Sequence, residues 1–555
     1  MKRLKKPGKL LTAAVGDCVH VAGLYNFMRI AENEGYQTVF LGPAVDVAQL
    51  ADALIKEKPD MVGISYRLTP EAFEKMVPAL KRAFEGYSNS SCTYLFGGTP
   101  PVTRIAVQSG LFAACFDGTE TEEAMLNCVR GEEVSGGPEK YPTGLVERIN
   151  WKRPFPIIRH HFGLPTMPES LHDIVKLAES CELDVISLAP DQNAQESFFR
   201  PEEMDPLQDG AGGMPVRTEK DFCLLYEATR IGNYPLLRSY AGTRDLLPMG
   251  SMLKKTINQA WAAIPLCWYS ELDGRSTRPL ENAIREALAV IRWHGENGIP
   301  VEVNEAHQWS LRDAPDTIAV AMAFLAAYNA KKAGVKHYVA QYMLNNPPGT
   351  SPAMDLAKML AKIELIESLH DDQFCTYRQT RTGLTSLPSD IVLAKGHLAA
   401  STMLQMALRP HIVHVVAHCE ADHAARADDI IEAVKIAKGA IKLGLYGFDT
   451  LVNSPEVKAR KEELIAEATI LLDAIKSLAP ASVNDPWADP ATLATAVRYG
   501  LLDAPHLRDH KVALGLVSTR IIEGACRAIN PQSGKPLSED QRIMSLKQMK
   551  FKATI

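Results

Sequence analysis

Short apolar runs that close on glycine or a polar residue alternate with longer amphipathic stretches from residue 10 to residue 440 of this 555-residue chain. An apolar run of four to eight residues reads as a buried strand, and a strand followed by a helix, repeated, folds as a parallel sheet covered by helices. Four such runs come first: Leu10–Val15, Val39–Gly42, Met61–Ser65 and Thr93–Gly98. Amphipathic stretches at Leu24–Asn33, Ala48–Lys56 and Glu71–Phe84 separate them. Residues 1–130 are therefore expected to form a doubly wound, flavodoxin-like α/β domain. Residues 131–150, polar and rich in glycine and proline (Gly131, Gly136, Gly137, Pro138, Pro142), read as a linker.

Eight further runs follow, at Phe155–His160, Asp184–Pro190, Tyr234–Tyr240, Ala263–Ser270, Pro300–Glu305, Lys336–Tyr342, Phe374–Gln379 and His411–His418. Eight strand–helix units are what a (β/α)8 barrel requires, here over residues 151–445. One helix is irregular: Asp245–Trp261 holds Pro248 and Gly250, which predicts a short, late-starting helix. Residues 446–555, rich in Ala, Glu and Lys and then punctuated by proline, read as an α-rich C-terminal extension.

Composition narrows the partners. A formal charge of −6 leaves no basic footprint for nucleic acid. No apolar run reaches the roughly 18 residues of a membrane helix. Met1–Lys6 and the apolar run after it imitate a signal peptide, but the run is short and serves better as the first strand. The ten cysteines are scattered with no C-x-x-C pair, which predicts reduced thiols and a cytoplasmic protein. A homo-oligomer is expected.

In a barrel of this kind chemistry gathers at the C-terminal ends of the strands. The residues there include His160 and His161, Asp191, Arg238 with Tyr240 and Arg244, Tyr269 with Glu271, Glu305 with His307 and Gln308, Gln341 and Tyr342, Arg378 with Gln379 and Arg381, and Glu420 with Asp422 and His423. Several arginines at one mouth suit a carboxylate substrate, and Glu271 and Glu305 suit an ammonium group. Arg238, Tyr240, Arg244, Tyr342 and Arg378 are the candidate substrate contacts; Arg238, Glu271, Glu305, His307 and Gln308 are the candidate catalytic groups. His418–His423 packs His, Cys, Glu and His into six residues, but the spacing matches no standard zinc motif and no zinc is expected.

One loop names a cofactor. Asp17-Cys18-Val19-His20-Val21-Ala22-Gly23 is followed by Ser65 and then by Gly97-Gly98. The set resembles the cobalamin-binding domain of vitamin B12 enzymes, whose pattern is D-x-H-x-x-G, then Ser, then Gly-Gly. The resemblance implies cofactor contacts from Asp17, His20, Gly23, Ser65, Gly97, Gly98, Gly118 and Thr119, with His20 as the lower axial ligand of cobalt. Two residues depart from the pattern. Cys18 stands two before His20, where the family keeps its Asp, and Arg67 stands where the family prefers Leu. With no closely spaced cysteine triplet, an iron–sulfur cluster is not expected.

A second resemblance covers much of Tyr234–Leu537. Tyr234–Thr243, Asn304–Trp309 and Pro347–Pro352 look like the barrel subunit of glutamate mutase (methylaspartate mutase). The chain thus resembles a fusion of that enzyme's cobalamin-binding and barrel subunits, with an altered pocket at Leu266–Glu271. Such a resemblance implies an adenosylcobalamin-dependent isomerase that rearranges a small carboxylate- or amino-acid-like metabolite through a 5′-deoxyadenosyl radical. A corrinoid methyltransferase of the methionine synthase type is the alternative, because Ser65–Pro70 resembles its Ser-x-Leu-x-Thr-Pro stretch. A cobalamin carrier or sensor would need the small domain only.

Overall fold

A computed structural model describes residues 8–553 other than 88, 90, 119, 121, 132–140, 446 and 448. It divides into two compact units, residues 1–140 and 141–555.

In the first unit five parallel strands, β1 (Lys9–Ala14), β2 (Gln37–Phe40), β3 (Met61–Tyr66), β4 (Thr93–Gly98) and β5 (Ala114–Phe116), pair in the order β2-β1-β3-β4-β5. This is the doubly wound order expected, and its switch point lies between β1 and β3. β1 and β3 are buried almost throughout, because helices cover both faces. Two of those helices are capped as their sequences dictate. Asp46 and Gln49 form a capping box at Val47–Glu57, and Thr69 caps Pro70–Glu85.

In the second unit eight parallel strands form a barrel: β6 (Ile157–Phe162), β7 (Val185–Leu188), β8 (Leu236–Ser239), β9 (Ala262–Ile264), β10 (Val301–Val303), β11 (His337–Leu344), β12 (Cys375–Thr382) and β13 (Ile412–His414). They pair in the order β8-β7-β6-β13-β12-β11-β10-β9, and a parallel bridge from Tyr240 to Ala263 brings the two ends together. Each of the eight expected runs overlaps a strand, although Ala263–Ser270 and His411–His418 leave their strands after Ile264 and His414.

Two expectations need correction. The helix after β8 runs from Leu246 to Ile257 and starts directly after Asp245, because Pro248 falls in its first turn, where no intrahelical N–H is lost. Gly250 leaves room for His294, whose ring a Cβ there would meet at 2.8 Å. Within the expected linker, Leu145–Lys152 is a helix, and its Leu145 and Ile149 pack with Ile157, Val185, Leu236, Trp261 and Ile412 across the N-terminal end of the barrel. The C-terminal segment is α-rich as expected. Its helix Pro455–Lys476 shares a core with the barrel helices through Val457, Leu464 and Leu471, and it carries an antiparallel hairpin, β14 (Thr519–Ile522) with β15 (Ala525–Ala528).

Among the described residues, no helix is long and apolar enough to cross a membrane.

Candidate functional site

The first unit presents a loop at the C-terminal edge of its sheet, beside the switch point. His20 follows β1 and is exposed, and the Ser65 hydroxyl at the end of β3 donates to the His20 main-chain carbonyl at 3.3 Å. The chain's departure from the family pattern takes a definite form here. Cys18 is fully buried with its Sγ 3.8 Å from His20 Nδ1, while Asp17 is exposed. No one-residue bulge restores a carboxylate to the imidazole, and a thiol stands in its place.

The glycines differ in what they allow. A Cβ at Gly98 would lie 2.9 Å from the Tyr66 carbonyl, so packing alone excludes a side chain. Gly23, Gly97 and Gly118 face open space, and at φ +95° Gly118 also occupies backbone that L side chains avoid. With Val19 60% and Leu68 39% exposed beside it, the edge offers an accessible imidazole, open backbone and apolar surface. That donor set fits a cobalamin. Thr119 lies outside the described residues.

In the barrel, strand alternation decides which polar residues meet. Side chains of one parity point into the lumen and those of the other into the helix layer. Arg159, His161, Arg238, Tyr240, Glu302, Gln341, Gln379, Arg381 and His414 form the inward set. Glu302 accepts from Trp261 Nε1 at 2.8 Å and stands 3.5 Å from Arg159 and 3.7 Å from Arg238. Arg159 donates to Gln379 at 2.9 Å and lies 2.6 Å from His161 Nε2, which is also 3.0 Å from the Tyr240 hydroxyl. Arg238 is 1% exposed, and none of its three guanidinium nitrogens has a hydrogen-bond partner among the described residues. Its guanidinium lies 5.1 Å from the centroid of the Trp261 ring and 5.5 Å from that of Tyr240.

Three buried arginines thus share a lumen with one buried carboxylate. Burial, then the neighbouring Arg238, holds Arg159 well below the usual arginine range, and burial also lowers Arg381. Burial followed by these arginines pushes His161, His307 and His414 far below the ordinary imidazole value. The histidines therefore stay neutral in a field that favours an anion.

Other candidates are not brought to this site. Arg378 and Tyr342 have the outward parity. Arg378 pairs with Glu367 at 2.7 Å and donates to the Leu408 carbonyl, and Tyr342 is buried in the layer between strands and helices. Arg244 is held by Glu203 at 2.8 Å. Glu305 accepts from the main chain at Leu266 and Cys267 and from Trp309 Nε1, which occupies both its oxygens. Glu271 accepts from the Leu280 main chain at a helix start. Both oxygens of Glu305 are thus engaged by the fold, whereas Glu271 has one oxygen engaged. His307, by contrast, is buried near Arg381 and Arg159, whose charges help to keep it neutral, while Gln308 accepts from Arg312 at 2.9 Å. Arg159 and Glu302 were missed by the strand-end reading because they sit deeper in the barrel. Counting back two residues from His161 and from Asn304 would have found them.

His160, on the outward face, makes a prediction of its own. Its Nδ1 meets the His161 carbonyl, its Nε2 accepts from the Ala417 main chain at 3.1 Å, and burial pushes its pKa down to about 4. A folded pKa below the unfolded value of about 6.5 means that the stability is fully present above pH ~6.5 and is lost as the pH falls towards ~4. The loss is on the order of 3 kcal/mol for this group. Denaturant melts across that window should show it, and His160→Gln should flatten the slope by about one proton. An unchanged slope would show that His160 is not a source of the acid sensitivity.

Comparison with known proteins bears on the first unit. Residues 8–126 match the family model described as B12 binding domain. The chain carries a B12 binding domain. No curated protein matches the chain. Among solved structures, a novel cobalamin-binding protein from Desulfitobacterium hafniense DCB-2 is 28% identical over 20% of this chain and 53% of its own, with a TM-score of 0.18. The cobalamin-dependent S-adenosylmethionine radical enzyme OxsB is 10% identical, both apo and with aqua-cobalamin bound. Those alignments cover 66% and 87% of this chain and 57% and 64% of that one, with TM-scores of 0.18 and 0.19. The matches therefore span from about half to just under two thirds of these proteins' lengths.

Proposed function

We propose that the chain is an adenosylcobalamin-dependent isomerase that rearranges a small carboxylate-bearing metabolite. The observation that carries this reading is the excess of buried guanidinium in the barrel lumen of a chain that also has a B12 binding domain. Burying an ion without full compensation costs several kcal/mol, so an unbonded Arg238 is costly unless a guest repays it. A carboxylate can accept two N–H bonds from one guanidinium, which fits Arg238. Tyr240 and neutral His161 line the same wall, and His161 can hold a hydrogen bond without adding charge. The lumen's closed N-terminal end keeps water from entering from below. Because both oxygens of Glu305 are engaged by the fold, recognition in this reading rests on the carboxylate.

In the B12 binding domain His20 would hold the cobalt of the cofactor. Cys18 would face its other ring nitrogen, Ser65 would pin its loop, and Gly97, Gly98 and Gly118 would let backbone approach the cofactor. Bound adenosylcobalamin would supply hydrogen-abstracting radical chemistry, for which Arg238, Tyr240 and His161 would hold and orient the substrate.

The test is electron spin resonance of the protein with adenosylcobalamin and a panel of small carboxylates. A cobalt(II) signal coupled to an organic radical is expected with the right substrate. Demethylation of methylcobalamin by a thiol acceptor, with no such signal, would establish the methyltransferase instead. His20→Ala is expected to remove the protein-derived nitrogen coupling from bound cobalt(II) cobalamin, read with isotopically labelled histidine. An unchanged coupling would overturn the ligand assignment.

A further inference from the structure

The segment after β13 belongs neither to the lumen nor to the cobalamin loop, and it gathers three ligand types. Cys419 Sγ, a ring nitrogen of His423 and a carboxylate oxygen of Asp429 all lie within 4.8 Å of one another. Asp429 stands in the first turn of the helix Ala427–Gly444, so the group joins a loop to a helix start. The spacing argument against zinc considered only residues 418–423 and missed the third partner ten residues beyond Cys419.

A second observation concerns the tautomer. His423 Nδ1 is 2.7 Å from Asp422 Oδ2, while its Nε2 is 3.4 Å from Asp429 Oδ2. A carboxylate on one ring nitrogen is the arrangement that orients a metal-bound imidazole and raises its basicity. It leaves Nε2 as the free donor, facing Asp429. Nitrogen and oxygen ligands at about 2.0–2.1 Å from a tetrahedral ion stand about 3.3 Å apart, close to the observed separation. Asp429 Oδ2 also accepts from the Arg426 main chain at 2.9 Å, and a carboxylate has lone pairs enough for both roles.

We propose that Cys419, His423 and Asp429 bind a zinc ion, with Asp422 orienting His423. Thiolate, imidazole and carboxylate together select zinc over the hard cations, which prefer oxygen alone. Cys419 is fully buried and supplies the inner vertex; His423, 48% exposed, leaves the site open to entry from solvent. The ion ties the rim loop that carries Glu420 to the last barrel helix, at the end of the barrel where Arg381 lies. The site is independent of cobalamin and of the proposed isomerase activity.

The competing state is an imidazolium at His423 paired with Asp422 and Asp429, and metal analysis separates the two. Full-length, cobalamin-free protein loaded with zinc and dialysed should retain about one ion per chain. Loading with cobalt(II) should give a thiolate charge-transfer band that Cys419→Ser removes. Cys419→Ser and His423→Ala should each lose stoichiometric zinc, and Asp422→Asn should weaken binding about 10–100-fold. Circular dichroism checks folding; if Cys419→Ser fails to fold, the exposed-side pair His423→Ala and Asp422→Asn decides. Wild-type retention no greater than that of His423→Ala, or retention indifferent to both ligand variants, would overturn the site.

Discussion

Arg238→Met is expected to leave the protein as stable as before, or more stable by about 1–2 kcal/mol, while weakening carboxylate binding in the barrel. The guanidinium is buried with no hydrogen-bond partner among the described residues, and its removal leaves Glu302 still facing Arg159 at 3.5 Å and bonded to Trp261. A methionine of similar length can fill the space beside the Trp261 ring without a desolvation penalty. Loss of a bidentate, charge-assisted contact should weaken binding of a small dicarboxylate about 100-fold, or ~2.7 kcal/mol. Calorimetry with succinate or glutarate, paired with thermal melts, reads both quantities. A stability loss of several kcal/mol with binding intact would make Arg238 a structural residue, and the carboxylate reading of the lumen would fall with it.

The opposite sign is expected at Glu302. Glu302→Gln keeps a hydrogen-bond acceptor for Trp261 but removes the one buried carboxylate facing Arg159 and Arg238. Stripping the counter-charge from a buried ion pair costs about 3–5 kcal/mol, because the remaining guanidiniums are left uncompensated. Denaturant melts should show that loss. The variant should then be rescued by anions, acetate or chloride raising its midpoint far more than they raise the wild type's. A loss that added anions do not relieve would mean that the lumen is closed to them. Together the two substitutions distinguish a charge kept for a guest from a charge kept for the fold.

Much of the architecture was legible in the sequence because burial on both faces leaves an unambiguous trace. A parallel strand covered by helices must be apolar along its length, so Leu10–Val15 and Met61–Ser65, and each of the eight later runs, stand out against their flanks. The cobalamin loop was legible for a different reason. Its residues lie close in sequence or at strand ends, and the match of residues 8–126 to the B12 binding domain agrees with that reading. The helix Leu145–Lys152 escaped notice because it is short, and its apolar face, Leu145 and Ile149, is matched only by the barrel floor it covers.

The lumen was less legible. Polar residues at strand ends can be listed from sequence, but Arg378 and Arg381 look equally suitable there, and a single step of register sends one to the helix layer and the other to the lumen. Glu302 and Arg159 were hidden inside runs read only as apolar strands. Asp429 was hidden because a helix start ten residues away was not weighed as a partner for Cys419.

By itself the sequence determined the strand–helix rhythm and the resemblance of its first segment to a B12 binding domain, since periodicity and local spacing express the burial and turn geometry of each segment alone. Only the tertiary structure decided that Cys18 rather than Asp17 faces His20, and that three arginines share one buried carboxylate. It also decided that both oxygens of Glu305 are bonded within the fold. Those outcomes depend on which side of a strand or loop faces which neighbour, and closure of the barrel settles that across residues far apart in the chain.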